Sequence, residues 1–428
     1  MADASRTRAP RLPASCDVLI VGSGPAGAAA AYWLADAGYD VVVVEKKHFP
    51  REKTCGDGLT PRAVRQLEDM GLADMLSGHH RFEGLRALAY GRELNLRWPS
   101  HAGFGRHGYV ITRFDLDALV SSRAEKAGAL VVEGCEALVP LGPDADSGGP
   151  AIGALVRDAD ANEQAEIAAR VLIVADGANS RFGRALGTVR DRAVPQGMAL
   201  RGYYASPRNA EHWIESHLDL RDPDGGSIPG YGWIFPLGDG RVNVGVGVLS
   251  TEKRLRGLNT TRLMEAFVEM APASWGLDAK SALSEPTGGR LPMGLSVGPR
   301  HGPDYVLCGD ASGSINPFNG EGISYGYETG RIAAAFVAEA IASNDLRVLE
   351  SYERKLQENY GLYYKAASAS MRFLGQPDVM RILVTTGMHS RSLMEWLLRI
   401  MSNQLRADEF APAEIAYRAI EQIATKAA

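Results

Sequence analysis

Residues 17–45, DVLIVGSGPAGAAAAYWLADAGYDVVVVE, constrain the fold more than any other stretch of the chain. Residues 18–21 are an apolar run short enough for a buried strand. Gly22, Gly24 and Gly27 follow in GxGxxG spacing. Residues 28–37 then read as a helix closed by Gly38, and residues 41–44 as a second buried strand. Glu45 ends that strand, eighteen residues beyond Gly27. In this strand–turn–helix–strand setting the glycines mean dinucleotide binding. Gly22 permits a tight turn, Gly24 lets backbone approach a pyrophosphate, and Gly27 allows close helix–strand packing. The helix N-terminus offers N–H groups to the phosphates. Glu45 suits both hydroxyls of an adenosine ribose and would repel a 2′-phosphate, which favours FAD or NAD over NADP here. A GxGxxG alone is often only a glycine-rich turn; both strands, the helix and Glu45 leave that reading little support.

A chain of 428 residues has room for two or three domains. Its net charge of −5 gives no overall basic footprint for nucleic acid. Cys16, Cys55, Cys135 and Cys308 are far apart and form no CxxC pair. Neither a disulfide framework nor a metal site is expected, and a reducing cytoplasm fits. Residues 1–15, with Arg6, Arg8 and Arg11, lack the apolar centre of a signal peptide. They read as a flexible arm, with weak contact to anionic lipid as the other reading. No run of about 18 apolar residues is present to span a bilayer.

Residues 50–61 read as an irregular loop, and Pro61 opens a helix to about residue 70. Residues 81–100 read as a hairpin of a second sheet, and 109–112 as a strand. A helix follows over about 115–127 with Asp115 as its N-cap. Strands are expected over 130–133, 151–156 and 166–174, with a surface turn at 142–150. Residues 197–249 alternate as strands, 260–271 form an amphipathic helix, and 305–308 form a buried strand. A long helix starts near Gly322, and residues 346–428 are mostly helical.

Two further signals lie at strand ends. In VLIVADGANS, residues 171–180, an apolar strand ends at Asp176-Gly177; by itself this is an ordinary turn. In YVLCGDA, residues 305–311, Asp310 stands where a carboxylate can hold a ribityl hydroxyl. Asn319-Gly320-Glu321-Gly322 then begins a helix whose N-terminus would stabilise the negative charge of a reduced flavin.

GSGPAG, ADGANS and CGDASG occur in that order along the chain. In this it resembles the FAD-dependent family that includes aromatic hydroxylases, flavin halogenases and geranylgeranyl reductases. The resemblance covers roughly residues 15–345. It implies an α/β Rossmann-like FAD-binding domain built from residues 14–62, 107–190 and 300–345. It also implies an inserted antiparallel-sheet substrate domain (63–106 and 191–299) and a helical C-terminal region (346–428). By resemblance Asp310 contacts the ribityl chain and Arg113 lies along the cofactor. Pro25, Ala26, Cys55, Gly56, Gly58, Ala137, Asp176, Gly177, Gly322 and Ile323 fall where FAD contacts are expected.

Residues 231–236, YGWIFP, match the YxWxFP pattern of geranylgeranyl reductases, followed by Gly245-Val246-Gly247. Residues 50–58, PREKTCGDG, match that family's Cys-Gly loop, whose cysteine faces the flavin ring. Tyr231, Trp233 and Phe235 share one face of a strand and form an apolar wall suited to a prenyl chain. The other reading is that they fill the core beneath the sheet. Gly245 and Gly247, lacking side chains, leave room for a ligand. CGDGLTPRAV, GYGWIFPLG and NPFNGEGISYG resemble the actinobacterial menaquinone-reductase branch, which saturates a double bond of an isoprenoid tail.

The resemblance implies hydride transfer from reduced flavin to an alkene carbon, with a proton supplied to the other. Cys55 is the family's candidate proton donor, the other reading being that it packs against the flavin with no proton role; Asp57, Tyr231 and Glu321 are lesser candidates. No second GxGxxG unit marks a nicotinamide domain, so electrons arrive from NAD(P)H, a ferredoxin-like protein or a deazaflavin. The rival readings are a monooxygenase or halogenase acting on an aromatic ring, which would need oxygen activation, and a flavin-binding carrier of polyprenyl lipid. Residues 371–401, rich in Met and Leu with Arg372, Arg381, Arg391, Arg399 and Trp396, read as a helical cap on the flavin domain. The alternative is a peripheral contact with the inner face of the cell membrane.

Overall fold

The computed structural model describes residues 12–142, 152–249, 259–374, 376–405 and 412–426. Residues 143–150 of the turn expected at 142–150, and most of the N-terminal arm, lie outside the described residues. Two seven-stranded sheets organise the chain. The first contains β1 (Ser15–Val21), β2 (Val41–Glu45), β8 (Leu130–Glu133), β9 (Cys135–Leu141), β10 (Gly153–Asp158), β11 (Glu163–Val174) and β19 (Tyr305–Leu307). Five of these run parallel in the order β8-β2-β1-β11-β19. β11 is long: its first half pairs antiparallel with β10, and its second half lies between β1 and β19. The central strands are buried on both faces, as near-continuous Val/Ile/Leu runs require.

The second sheet contains β5 (Gly84–Ala89), β6 (Arg92–Arg97), β13 (Gln196–Ala205), β14 (Trp213–His217), β15 (Gly230–Pro236), β16 (Arg241–Leu249) and β17 (Thr287–Pro292). Its order is β17-β13-β16-β15-β14-β5-β6, antiparallel except for the parallel pair β5–β14. Smaller sheets join β3 (Gly58–Leu59), β4 (His80–Phe82) and β7 (Gly108–Val110), and β12 (Val189–Arg190) with β18 (Val297–Gly298).

Among the helices, α1 (Pro25–Asp36) and α7 (Ile323–Ser343) cover one face of the first sheet. They approach closely because α7 has no side chain where they meet: a Cβ on Gly330 would lie 2.2 Å from Ala26 O. α2 (Pro61–Asp69) falls in the stretch expected to join the substrate sheet, but its Ala63, Val64 and Leu67 pack into the same core as α7. α3 (Ala73–Leu76) follows it. α4 (Arg113–Ala127) starts two residues before its expected N-cap, Asp115. Thr112 is the cap: its hydroxyl accepts from Asp115 N and donates to the Asp115 carboxylate at 2.6 Å, so the acid serves in the first turn instead. α5 (Arg181–Ala185) follows β11, and α6 (Thr260–Met270) covers the far face of the second sheet.

The C-terminal helices are α8 (Glu350–Leu356), α9 (Leu362–Leu374), α10 (Pro377–Met388), α11 (Arg391–Met401) and α12 (Pro412–Lys426). They do not form a cap on the flavin unit alone. Tyr352, Tyr364 and Tyr417 join the core beneath α7. Val384, Met388, Met394 and Leu398 instead pack with Phe82, Leu96, Trp98 and Tyr203 of the second sheet and its neighbours. The helical region therefore braces both units.

Candidate functional site

The GxGxxG loop stands at the C-terminal ends of β1 and β11. Gly22 adopts φ +98°, and a Cβ there would lie 2.6 Å from Ala175 O. A Cβ on Gly27 would lie 1.9 Å from Gly22 O. At Gly24 the space is open, with only Arg51 Nη2 within 4 Å, at 3.9 Å. Closed on two sides and open on the third, the loop fits a pyrophosphate. Glu45, buried at the end of β2, accepts from Ser23 N at 3.0 Å, Lys47 N at 3.1 Å and Arg51 at 3.2 Å.

Arg51 was not singled out by sequence. Its guanidinium bridges Glu45 and Asp117, the latter at 3.0 Å, while its buried Nε has no hydrogen-bond partner. Asp117 also receives two 2.6 Å bonds from Arg113. Burial works against the charge on Arg113, but Asp117 holds its pKa well above the usual range. A chain of alternating charge, Glu45–Arg51–Asp117–Arg113, thus runs from the glycine loop toward Cys55. The signal that could have found Arg51 is its place in PREKTCGDG, beside the acid at the end of β2.

Other expected residues reach the same edge by different routes. Asp310 lies in a 3₁₀ turn (Gly309–Ser312) after β19, and a Cβ on Gly322 would lie 3.4 Å from its carboxylate. Gly322 caps α7 without a side-chain bond, and Ile323 begins it, buried. Asp176 brings its backbone beside Gly22, but its carboxylate turns to α5, accepting from Phe182 N at 3.1 Å. Gly177 follows at φ +83°. Ala137 sits on β9 opposite Val156, half-buried against the first sheet.

The Cys-Gly loop lies directly on the aromatic strand. A Cβ on Gly58 would be 3.0 Å from the Phe235 ring, and one on Gly56 would be 3.2 Å from Phe235 and 3.4 Å from Trp233 Nε1. Tyr231, Trp233 and Phe235 form a continuous row, with centroids 5.9 and 6.2 Å apart. Their cross-strand partners are Gly247, Gly245 and Asn243. The two glycines differ. The room above Gly245 is filled by Trp233 itself, 2.2 Å from a Cβ placed there, so it is not open to a ligand. At Gly247 the nearest atom would be Tyr231 Cε1 at 3.6 Å.

Beneath this contact lies a polar cluster. Asp57, fully buried at φ +65°, accepts from Tyr203 OH at 2.6 Å, Asn243 Nδ2 at 2.7 Å and Arg113 N at 3.2 Å. Burial still pushes its carboxyl up to about 6. Asn243 also donates to Cys55 O at 2.9 Å and accepts from Trp233 Nε1 at 2.9 Å. The half-buried Cys55 receives a 3.4 Å contact from Asp57 N. Burial, then the charge of Asp57, raise its thiol above the usual value, so it is protonated at neutral pH. Tyr203 and Asn243 were not expected from sequence. Among the described residues no group of His, Cys, Asp or Glu could hold a metal, and no helix is long and apolar enough to cross a membrane.

An open glycine loop, a buried acid at the end of β2 and a carboxylate beside the cap of a late helix fit the class of FAD-dependent oxidoreductases. The FAD binding domain family matches residues 15–231. The chain is 41% identical to the menaquinone reductase of Mycobacterium tuberculosis (strain CDC 1551 / Oshkosh), over 92% of this chain and 93% of that protein. It is 30% identical to digeranylgeranylglycerophospholipid reductase 1 of Methanopyrus kandleri, over 86% and 92%. A solved geranylgeranyl bacteriochlorophyll reductase-like protein from Thermoplasma acidophilum shares the fold, with TM-score 0.76 and 24% identity over 95% of this chain and 99% of that one. The chain belongs to the geranylgeranyl reductase family of FAD-dependent oxidoreductases, the family of these menaquinone reductases.

Proposed function

We propose that this protein saturates carbon–carbon double bonds of an isoprenoid chain, with a menaquinone tail as the first candidate. The observation that carries the reading is the contact of the Cys-Gly loop with the row Tyr231, Trp233 and Phe235. Glycine at 56 and 58 lets an oily wall lie against the loop that borders the cofactor. The relatives named above act on molecules of this class by their names.

FAD would be held by Gly22, Gly24, Pro25, Ala26 and Gly27 at the pyrophosphate and by Glu45 and Arg51 at the adenosine. Arg113, Asp310, Gly322 and Ile323 would border the rest. Bound reduced flavin supplies the hydride. The chain would orient the alkene against it and keep water out. In this reading Tyr231, Trp233 and Gly247 border the prenyl chain, and Cys55 lies at its reacting end. An external donor, whether NAD(P)H, a ferredoxin-like protein or a deazaflavin, replenishes the electrons.

Peripheral membrane contact belongs to the same reading. α10 exposes Val379, Ile382 and Leu383, at 36%, 62% and 49%, with Arg381 exposed beside them. An exposed apolar stripe suits a membrane interface, with Arg381 at its edge paired to Asp378 at 3.6 Å. Trp396 is half-buried, and Arg399 pairs with Glu414, so neither adds to that stripe. The side chains of residues 372–375 lie outside the described set.

The deciding experiment expresses the protein in a host that makes only unsaturated menaquinone and weighs the lipid. A tail heavier by one hydrogen molecule per reduced bond is expected. An unchanged tail, with oxygen consumed in step with turnover of an aromatic compound, would identify a monooxygenase or halogenase instead.

A further inference from the structure

We propose that Glu321 is the acid that gives its proton to the alkene carbon opposite the one receiving hydride, an assignment that rests on the prenyl-reductase reading above. Glu321 immediately precedes Gly322, the cap of α7. One of its oxygens, Oε1, accepts from both the Thr60 hydroxyl and the Ser324 hydroxyl, the latter at 2.6 Å. The other, Oε2, is buried and has no hydrogen-bond partner. Two donors on one oxygen place the proton of the neutral acid on the other, where it is free to be given. Thr60 makes no side-chain capping bond to α2, so its hydroxyl is committed to Glu321.

The acid shares a corner with the aromatic wall. Tyr231 donates to Asn319 O at 2.6 Å, two residues before Glu321. Burial, then Cys55, then Glu321 act on the Tyr231 phenol and push it up to about 12. The rival donors are placed for other work. Both oxygens of Asp57 are occupied by three donors, so that residue anchors the loop. The Tyr231 hydrogen is given to Asn319, and the Cys55 thiol is a weaker acid than a carboxyl group.

Burial raises the pKa of Glu321, against the bonds from Ser324 and Thr60, which favour the carboxylate. The charged and titratable groups around it are Arg62 on α2, Glu328 and Tyr325 on α7, Tyr231 on β15 and Tyr363 on α9. In the step, the carbon–carbon π bond breaks and two C–H bonds form. One carbon takes a hydride, whose loss oxidises the reduced flavin. The other takes the Glu321 proton, and the resulting carboxylate regains a proton from water.

The test mixes dithionite-reduced, oxygen-free protein with a fully unsaturated menaquinone and follows flavin reoxidation across pH. Reoxidation by wild type together with a tail heavier by one hydrogen molecule establishes the parent reading, because the quinone ring can by itself oxidise flavin; an unchanged tail would sink that reading first. Given reoxidation, the rate is expected to fall as pH rises through the pKa of the acid. Glu321→Gln should slow it about 10²–10⁴-fold and abolish that limb, whereas Cys55→Ser should retain the limb whatever its rate. An independent readout is the protonated-carboxyl infrared band of the resting protein, of which one component should be lost in Glu321→Gln and kept in Asp57→Asn. Glu321→Asp, with that component shifted, serves where the glutamine variant does not fold. A wild-type rate and limb in Glu321→Gln, loss of the limb in Cys55→Ser, or no such component would each overturn the assignment.

Discussion

Asn243 Nδ2 on β16 lies 2.7 Å from Asp57 Oδ2 in the Cys-Gly loop, 186 residues away in sequence. The same amide holds Cys55 O and the Trp233 indole, so one side chain sets the loop against the aromatic wall. Asn243→Ala removes all three bonds within the buried cluster. Unfolding by urea should show a loss of about 2–3 kcal/mol, together with reduced flavin retention. A loss below about 0.5 kcal/mol would mean that the cluster is replaced by water at little cost.

Asp57 makes stability depend on pH. Its carboxyl moves from 3.8 to about 6 on folding, so the folded state binds the proton more tightly. The contribution is fully present below pH 3.8 and is lost as pH rises through about 6, a change on the order of 3 kcal/mol. The stability difference between wild type and Asp57→Asn should slope across that window and be flat above it. A flat difference throughout would place the group near its ordinary value.

Gly245 and Gly247, alike in sequence, should respond differently to one methyl group. A Cβ at 245 meets Trp233 at 2.2 Å and Leu200 O at 2.6 Å, so Gly245→Ala should cost about 1–3 kcal/mol in thermal unfolding. At 247 the nearest contact is an ordinary 3.6 Å, so Gly247→Ala should fold normally and instead raise KM for a prenyl substrate. Equal stability of the two variants would contradict the packing.

Glu45 and Arg51 pair at 3.2 Å beside the open Gly24. Glu45→Gln weakens that pair and the expected ribose contact. FAD titrated into the flavin-free protein, followed by flavin fluorescence, should bind about tenfold more weakly, matching a charged hydrogen bond of about 1.5 kcal/mol. Unchanged affinity would put the adenosine elsewhere.

Ile382 and Leu383 are exposed on α10. Replacing both with Asp should leave thermal stability within about 0.5 kcal/mol and lower co-sedimentation with anionic vesicles. Equal sedimentation of wild type and variant, or none by either, would remove the membrane contact from the reading.

Much of the candidate site's layout could be read along the chain because each piece is local. Gly22, Gly24, Gly27 and Glu45 belong to one strand–turn–helix–strand unit, and Tyr231, Trp233 and Phe235 to one strand face. The helix start at α4 was misjudged because Thr112 and Asp115 are both good caps, and their reciprocal bonds decide only in place. For α10 and α11, amphipathic spacing marked a buried face without saying which sheet would bury it.

By itself the order of residues determined the nucleotide unit, the parallel strands and the oily stripe, since backbone conformation and side-chain alternation act over neighbours. Tertiary structure alone decided that Arg51 joins Glu45 to Asp117, that Asn243 and Tyr203 hold Asp57, and that Trp233 fills the space over Gly245. The physical reason is that a hydrogen bond or a van der Waals contact depends on distances of a few ångströms in space. Where separate strands and loops converge, spacing along the chain does not set those distances.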